Sequence, residues 1–205
     1  MKKLLFILII PICVRALDEN LLGLLDGDDF FGSKSAPIIM ITYDSVSCPH
    51  CAQFNMETIP SLKRKFASDV LFIHRDFPMD KPSLYGTALL ECVGVEQARK
   101  LRMLLFQSQS KWVFSRNTTK LLDNIYNSIK ISGISREKYD KCINDNDAIT
   151  EMINRKENAM KKIGVFATPT HFINGKKYEG AHPDEFFIEI FEKLLKNMQY
   201  KQSDL

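Results

Sequence analysis

The hydrophobic pattern along the chain predicts a βαβ unit before any other feature is considered. Residues 37–43 (PIIMITY) are a compact apolar run with β-branched side chains, which is typical of a buried strand. Residues 49–66 have apolar positions at helical spacing, and residues 70–77 (VLFIHRDF) again have the pattern of a strand. Two strands joined by a helix in this way are expected to be parallel, with a right-handed connection.

Two residues inside this unit need separate interpretation. Pro60 lies within the predicted helix and should kink it, because proline lacks the N–H that an internal helical turn uses. His74 lies within the second strand, where a lone histidine is more often structural than a ligand, so we leave it out of the candidate site. The expected core positions of the helix are Phe54, Ile59, Leu62 and Phe66.

The period then changes from two to three and four over residues 81–163, which predicts several amphipathic helices. Gly133 and residues 144–147 provide breaks and caps between them. The β pattern returns in residues 168–173 (TPTHFI), and Asn174-Gly175 predicts a two-residue hairpin into residues 176–180. The chain then closes with a helix over residues 184–198.

The first residues have the pattern of a secretory signal. A basic start, an apolar run of about a dozen residues and a small residue at Ala16 predict cleavage after Ala16. The alternative is a membrane anchor, but the run is short for a bilayer and contains Pro11. The remaining length suits one domain. The acidic, glycine-containing residues 18–35 are expected to form a loosely packed lead-in.

Charge gives no support for nucleic-acid binding. Removing residues 1–16 takes away Lys2, Lys3 and Arg15, which leaves 25 of the 28 basic residues against 25 acidic ones. The basic residues are also scattered through the helical patterns and do not form one patch. We therefore expect no nucleic-acid partner.

Export changes the interpretation of the cysteines. Of the five in the chain, Cys13 would leave with the signal, and Cys48, Cys51, Cys92 and Cys142 would remain. The CxxC spacing of Cys48 and Cys51 can hold a metal, staple a loop or exchange electrons. An even number of cysteines in an oxidising compartment favours two pairs, whereas a cytosolic location would have favoured zinc.

The sequence around the first cysteine favours redox chemistry. Pro49 suits the first position of a helix, which makes Cys48 the N-cap and places its sulfur at the positive end of the helix dipole. Lowering a thiol pKa by about three to five units requires roughly 4 to 7 kcal/mol, and a helix terminus supplies about 2 at best. Hydrogen bonds, one of them from Cys51, and the imidazole of His50 are expected to supply the remainder.

The predicted order along the chain is strand, CxxC, helix, strand, helical insertion, strand, hairpin, strand and helix. In this order the chain resembles the DsbA family of thioredoxin-fold, periplasmic thiol-disulfide oxidoreductases. The resemblance rests on residues 32–37 (GSKSAP) before the first strand, Cys48-Pro49-His50-Cys51, the helical insertion, and Thr168-Pro169 opening the late strand. It covers nearly the whole mature chain, and DsbA proteins are known for a low thiol pKa.

The resemblance implies an α/β thioredoxin fold, in which a central mixed sheet is flanked by helices, with an all-helical insertion. Residues 37–80 and 164–205 would form the thioredoxin-fold domain, residues 81–163 the insertion, and residues 17–36 the lead-in. It also implies a cis peptide bond before Pro169 and a free Thr168 backbone that pairs with substrate.

Two further site features follow from the resemblance. Some DsbA relatives carry a second disulfide in the helical domain, which here would join Cys92 to Cys142, and the alternative is two buried free thiols. The family often carries a buried acid six residues before the first cysteine, and Thr42 stands at that position. Asp44 is the nearest carboxylate and lies on the same strand face, so the resemblance leaves the proton route open.

The implied function is a disulfide oxidase of the periplasm. A substrate thiolate would attack Cys48 to form a mixed disulfide, a second substrate thiolate would resolve it, and Cys51 would be the internal resolving thiol. The implied partners are reduced exported proteins and a membrane, quinone-linked reoxidase like DsbB. We expect no cofactor and no metal.

Other functions of the same fold remain as alternatives. Exported isomerases generally dimerise through a domain ahead of the thioredoxin unit, and only residues 17–36 precede the first strand here, so we expect a monomeric oxidase. A copper carrier would use Cys48, Cys51 and a histidine as ligands, but such carriers usually space their cysteines by three residues. A holdase without catalysis would not require the CPHC sequence.

Overall fold

The computed structural model describes residues 19–203, so the predicted signal peptide and its cleavage site lie outside the described residues. A five-stranded sheet forms the centre of the described chain. Its strands are β1 (Asp29–Phe31), β2 (Ile38–Asp44), β3 (Val70–Asp76), β4 (Thr170–Ile173) and β5 (Lys176–Glu179), in the order β1-β3-β2-β4-β5. The β2–β3 pair is parallel and the other neighbouring pairs are antiparallel. The predicted mixed sheet is confirmed.

Helices cover both faces of this sheet. They are α1 (Pro49–Gln53), α2 (Ile59–Phe66), α3 (Lys81–Glu91), α4 (Val95–Gln107), α5 (Gln109–Trp112), α6 (Thr118–Ile129), α7 (Arg136–Ile143), α8 (Asn146–Ile163) and α9 (Asp184–Ser203). One face of the sheet packs against α2 and α9, and the other packs against α8. The helices α3 to α7 form a separate apolar core, to which Val46, just after β2, and Cys51 of α1 also belong. No helix within the described residues combines the length and apolar character needed to cross a bilayer.

The expectation of a loosely packed lead-in was wrong. Strand β1 pairs antiparallel with β3 at the edge of the sheet. The guanidinium group of Arg75 forms two hydrogen bonds to the Asp28 carboxylate and donates to the carbonyl oxygens of Leu21 and Gly23. The arginine thus satisfies the backbone of the lead-in and fixes it to the sheet.

The helix after the cysteines accommodates Pro60 through a local change of helix type. A π-helical turn, Phe54–Thr58, separates α1 from α2, and the Ile59 N–H donates to the carbonyl of Phe54, five residues earlier. The wider turn makes room for the proline, which is the second residue of α2 and has no N–H of its own. Of the expected core positions in this segment, Phe54, Leu62 and Phe66 are buried and Ile59 is half-buried.

The last part of the chain follows the predicted hairpin closely. Asn174 and Gly175 have φ values of 45° and 80°, which a tight two-residue turn between antiparallel strands requires. Strand β4 begins at Thr170, two residues later than predicted, because Thr168 and Pro169 lie in the segment that faces the cysteines. The helix α9 continues beyond residue 198 to Ser203.

Candidate active site

The cysteine pair lies where the chain leaves β2 and enters α1. Pro49 is the first residue of α1, and Cys48 is its N-cap with φ −80° and ψ 119°, as the sequence predicts. Cys48 is partly exposed, whereas Cys51 is fully buried in the first turn. Both are free thiols in this structure. The fold therefore presents one sulfur to solvent and shields the other.

The environment of Cys48 favours its thiolate. Its pKa is lowered from the ordinary value of 9.0 to about 6. The largest cause is a hydrogen bond from the Cys51 side chain, and partial burial opposes it. The backbone N–H groups of Cys51 and His50 and the side chain of Thr168 lower the pKa further. At pH 7 the thiolate is therefore the major form of Cys48.

His50 contributes to this environment through its backbone. Its side chain is exposed, and the group that lowers the pKa of Cys48 is its N–H in the first turn of α1. The sequence predicts that the His50 imidazole itself helps to stabilise the thiolate, whereas the structure places the contribution of His50 at its backbone N–H. The difference arises because the free N–H groups of a helix N-terminus converge on the N-cap, while side chains of the first turn radiate outward.

Cys51 has the opposite properties. Burial raises the pKa of its thiol, and the hydrogen bond to Cys48 and the charge of Asp44 raise it further. The backbone N–H of Ser45 lies 3.5 Å from its sulfur. Cys51 therefore remains a protonated thiol that donates to the Cys48 thiolate.

The segment before β4 completes the site. The Thr168-Pro169 peptide bond is cis, as the resemblance implies. The carbonyl oxygen of Thr168 lies 3.3 Å from the Cys48 sulfur, although the two residues are 120 positions apart in the chain. Cys48 thus has a backbone segment beside it that is close enough to align a bound peptide.

Asp80, the N-cap of α3, and Gln109 of the insertion hold the turn that carries Cys48. The Ser47 hydroxyl donates to the Asp80 carboxylate at 2.9 and 3.0 Å. The amide nitrogen of Gln109 donates to the carbonyl oxygens of Val46 at 2.8 Å and Cys48 at 3.0 Å. Sequence reasoning missed both contacts, since no local pattern links either residue to the CxxC turn.

The strand position at which the family often carries an acid holds a neutral pair here. The Thr42 hydroxyl lies 3.0 Å from Nδ1 of His171, and Nε2 of His171 lies 3.2 Å from the Gly180 carbonyl oxygen. Because a carbonyl can only accept, Nε2 carries the hydrogen and Nδ1 accepts from Thr42. Burial lowers the pKa of His171 to about 4, so the pair is uncharged at neutral pH.

A buried charge network begins two residues further along β2, at Asp44. His74 lies between two carboxylates, with Nδ1 3.3 Å from Asp44 and Nε2 3.2 Å from Asp76. Arg102 continues the network by pairing with both Asp76 and Asp29. Burial and the charge of Arg102 oppose protonation of His74, but the carboxylates outweigh them and its pKa is raised. His74 thus has the structural role that the sequence favoured.

A cavity of about 300 Å³ lies beside this network. Its charged lining residues include Asp44, His74, Lys63 and Arg99. Oδ1 of Asp44 is buried and has no hydrogen-bond partner among the described residues. Ordered water in a cavity of this size can satisfy such an oxygen, because charged side chains are among those that line it.

The other two cysteines lie in the insertion, on helices whose core also contains Cys51. Cys92, at the end of α3, and Cys142, in α7, form a disulfide whose Cα atoms are 5.4 Å apart. The bond joins two helices of the insertion core. Residues 19–203 contain no group of three or more His, Cys, Asp or Glu side chains arranged to hold a metal ion.

Comparison with known proteins agrees with this geometry. A family model described as thioredoxin matches residues 25–193. A protein-disulfide oxidoreductase of Rickettsia typhi is 32% identical over 163 residues, covering 78% of this chain and 59% of the relative. One from Rickettsia prowazekii is 31% identical and covers 86% of this chain and 65% of the relative. The chain thus spans about three fifths of the length of these relatives.

Solved structures give the same result for the fold. The crystal structure of alpha-DsbA1 from Wolbachia pipientis has a TM-score of 0.77 and 28% sequence identity, covering 89% of this chain and 98% of that one. The sheet, the helical insertion and the CxxC N-cap therefore define a DsbA-type protein with a thioredoxin fold. The chain belongs to the thioredoxin family, and its relatives within that family are disulfide oxidoreductases by name.

Proposed function

We propose that the protein is a thiol-disulfide oxidase, which donates its Cys48–Cys51 disulfide to reduced proteins. The observation that carries this proposal is the asymmetry of the pair, with a pKa of about 6 at Cys48 and a raised pKa at the buried Cys51. A stabilised thiolate lowers the free energy of the reduced pair relative to its disulfide, which makes the disulfide a stronger oxidant.

The size of this effect depends on pH. A pKa of about 6 in place of 9.0 corresponds to about 4 kcal/mol of preference for the thiolate. At pH 7 an ordinary thiol, with a pKa of 9.0, is still protonated. Lowering the pKa to about 6 therefore stabilises the reduced pair at this pH by about 1.4 kcal/mol, which corresponds to about 30 mV in reduction potential.

The proposed reaction runs through a mixed disulfide at Cys48. A substrate thiolate attacks the Cys48 sulfur of the oxidised pair, a substrate–Cys48 bond forms, and Cys51 leaves as a thiolate that takes up a proton. A second substrate thiolate then attacks the substrate sulfur of the mixed disulfide and releases the Cys48 thiolate. Two substrate thiols become one disulfide, and the protein's disulfide becomes a dithiol. Cys51 can also return the system to its start by attacking Cys48.

Two neighbouring groups support these steps. The backbone of Thr168 lies beside the Cys48 sulfur and can pair with the substrate chain as an added strand does. The Asp44 carboxylate favours the protonated form of Cys51, since its charge raises the pKa of Cys51. Asn55 connects Asp44 to Cys51, because its amide donates to the Asp44 carboxylate at 2.7 Å and to the Cys51 carbonyl at 2.9 Å.

The wider setting of the reaction is part of the same proposal. The predicted signal at residues 1–16 supports export to the periplasm, where the substrates would be reduced, folding proteins. The released dithiol then requires an oxidant, for which we propose a membrane, quinone-linked protein of the DsbB type. We propose that the protein works as a monomer, since isomerases of this fold use a dimer to hold scrambled substrates.

Paired refolding assays test the direction of the reaction. The oxidised protein should introduce disulfides rapidly into reduced ribonuclease and should rescue scrambled ribonuclease poorly. Equilibration with glutathione buffers gives the potential of the pair, and Cys48→Ser should abolish both activities. A stable dimer by light scattering, together with strong activity on scrambled ribonuclease, would instead identify an isomerase.

A further inference from the structure

The helical insertion reaches the backbone of the active-site turn through Gln109. This residue is half-buried at the start of α5. Its amide nitrogen has two hydrogens, and the structure directs both to the turn, at the carbonyl oxygens of Val46 and Cys48. The chain separation from Cys48 is 61 positions, so the contact exists only when the insertion has docked.

The Cys48 carbonyl is held from two directions. It accepts the N–H of Ala52 at 3.1 Å, which is the first hydrogen bond of α1, as well as the amide of Gln109 at 3.0 Å. Pro49 restricts φ on the far side of this peptide unit. On the near side, the Cys48 N–H donates to the Ser45 carbonyl at 3.0 Å. Among the described residues, Gln109 therefore makes the one hydrogen bond to this carbonyl that comes from outside residues 45–52.

The short helix that begins with Gln109 is anchored by buried contacts. Trp112, three residues later, is fully buried, and its ring nitrogen donates to the Leu105 carbonyl at 3.1 Å. Helix α3 approaches the turn so closely that a Cβ atom at Gly86 would lie 2.7 Å from a methyl group of Val46. Gln109 thus begins a short helix that is anchored in the insertion core and placed against the turn.

We propose that Gln109 is a positioning residue for Cys48, through which the insertion holds the N-cap backbone and keeps the sulfur aligned with the N–H groups of the first helical turn. This inference rests on the proposed role of Cys48 as the reactive thiolate. The contact between Ser47 and Asp80 restrains the same turn, but Asp80 also caps α3 by accepting from Ser83. Gln109 is therefore the cleaner position to change.

The test compares Gln109→Met with Gln107→Met in the reduced protein. Methionine has nearly the length of glutamine but no donor, and Gln107 is an exposed glutamine two positions earlier at the end of α4. The rate of Cys48 alkylation by iodoacetamide is measured from pH 4 to pH 9, together with thermal unfolding. Loss of the two hydrogen bonds from Gln109 should raise the pKa of Cys48. Alkylation should therefore slow by about two- to tenfold at pH 5 and change little at pH 9. Gln107→Met should match the wild type.

A second variant separates donor chemistry from general packing. Gln109→Asn keeps both amide hydrogens but is one methylene too short to reach the carbonyls, so it should shift the profile in the same direction. An unchanged pH profile in both variants, with or without a lower melting temperature, would overturn the inference and leave Gln109 as a packing residue. Failure of the proposed function would look different, since the wild type itself would then titrate near 9.

Discussion

Replacing Cys51 by alanine should raise the pKa of Cys48 and leave a slower nucleophile. The hydrogen bond from the Cys51 side chain is the largest cause of the low pKa. A hydrogen bond to a charged group contributes about 1.5 to 3 kcal/mol, which corresponds to about one to two pH units. The pKa of about 6 should therefore move to about 7 to 8 in Cys51→Ala. The backbone N–H groups of α1 remain and should keep it below 9.0.

Ultraviolet absorbance of the thiolate measures the pKa of Cys48 directly in Cys51→Ala. Cys92 and Cys142 are bonded to each other, so Cys48 is the remaining free thiol of the described residues. Cys51→Ser is the matched control, since its hydroxyl can donate from the same position and should keep the pKa closer to that of the wild type. A Cys51→Ala protein that still titrates near pH 6 would refute this account of the hydrogen bond. The backbone N–H groups of α1 and the Thr168 side chain would then carry the whole effect.

Three further predictions concern stability. The pKa of Cys48 is lowered on folding. The ionised thiolate therefore adds to the free energy of unfolding of the reduced protein, in full above pH 9, and this addition is lost as the pH falls through about 6. The reduced form should therefore lose about 1.4 kcal/mol relative to the oxidised form between pH 7 and pH 4 in urea unfolding; no change would contradict this. Changing Cys92 and Cys142 to serine should cost about 4 kcal/mol, as the chain-entropy relation gives for a separation of 50 residues, and should leave the Cys48 titration intact; an equally stable variant would show that the bond adds nothing. Arg102→Met should cost about 3 kcal/mol, the lower end of the range for breaking a buried ion pair, because it removes the cation between Asp76 and Asp29 while His74 and Arg99 still pair with them. Arg136→Met, at exposed ion pairs, should change stability little, and equal losses would contradict the reasoning.

The sequence predicts those parts of the fold and site that depend on local chemistry. The change of hydrophobic period locates the insertion, and the proline after Cys48 identifies the N-cap without any knowledge of the fold. Asn174-Gly175 predicts its hairpin for a similar reason, since few residue pairs adopt both positive φ values. In each case a residue type is tied to a backbone conformation within a few positions.

The missed features depend on residues that only the folded chain brings together. Strand β1 is three residues long, too short to show an alternating pattern. The partners of His74 follow from the register of β2 and β3, which sets Asp44 opposite Asp76. Gln109 has no sequence signal at all, because its contact requires the docking of two separate segments.

The position of the insertion also has a consequence for the order in which the protein folds. The Thr42 and His171 side chains that meet across β2 and β4 are 129 positions apart, whereas helices α3 to α8 contact one another over shorter stretches of chain. Local helical contacts form faster than pairing between distant strands. Because Thr168 reaches Cys48 only when β4 is in place, the complete active site should form at the last step of folding. A newly made chain would then lack the backbone segment beside Cys48 until its own sheet has closed.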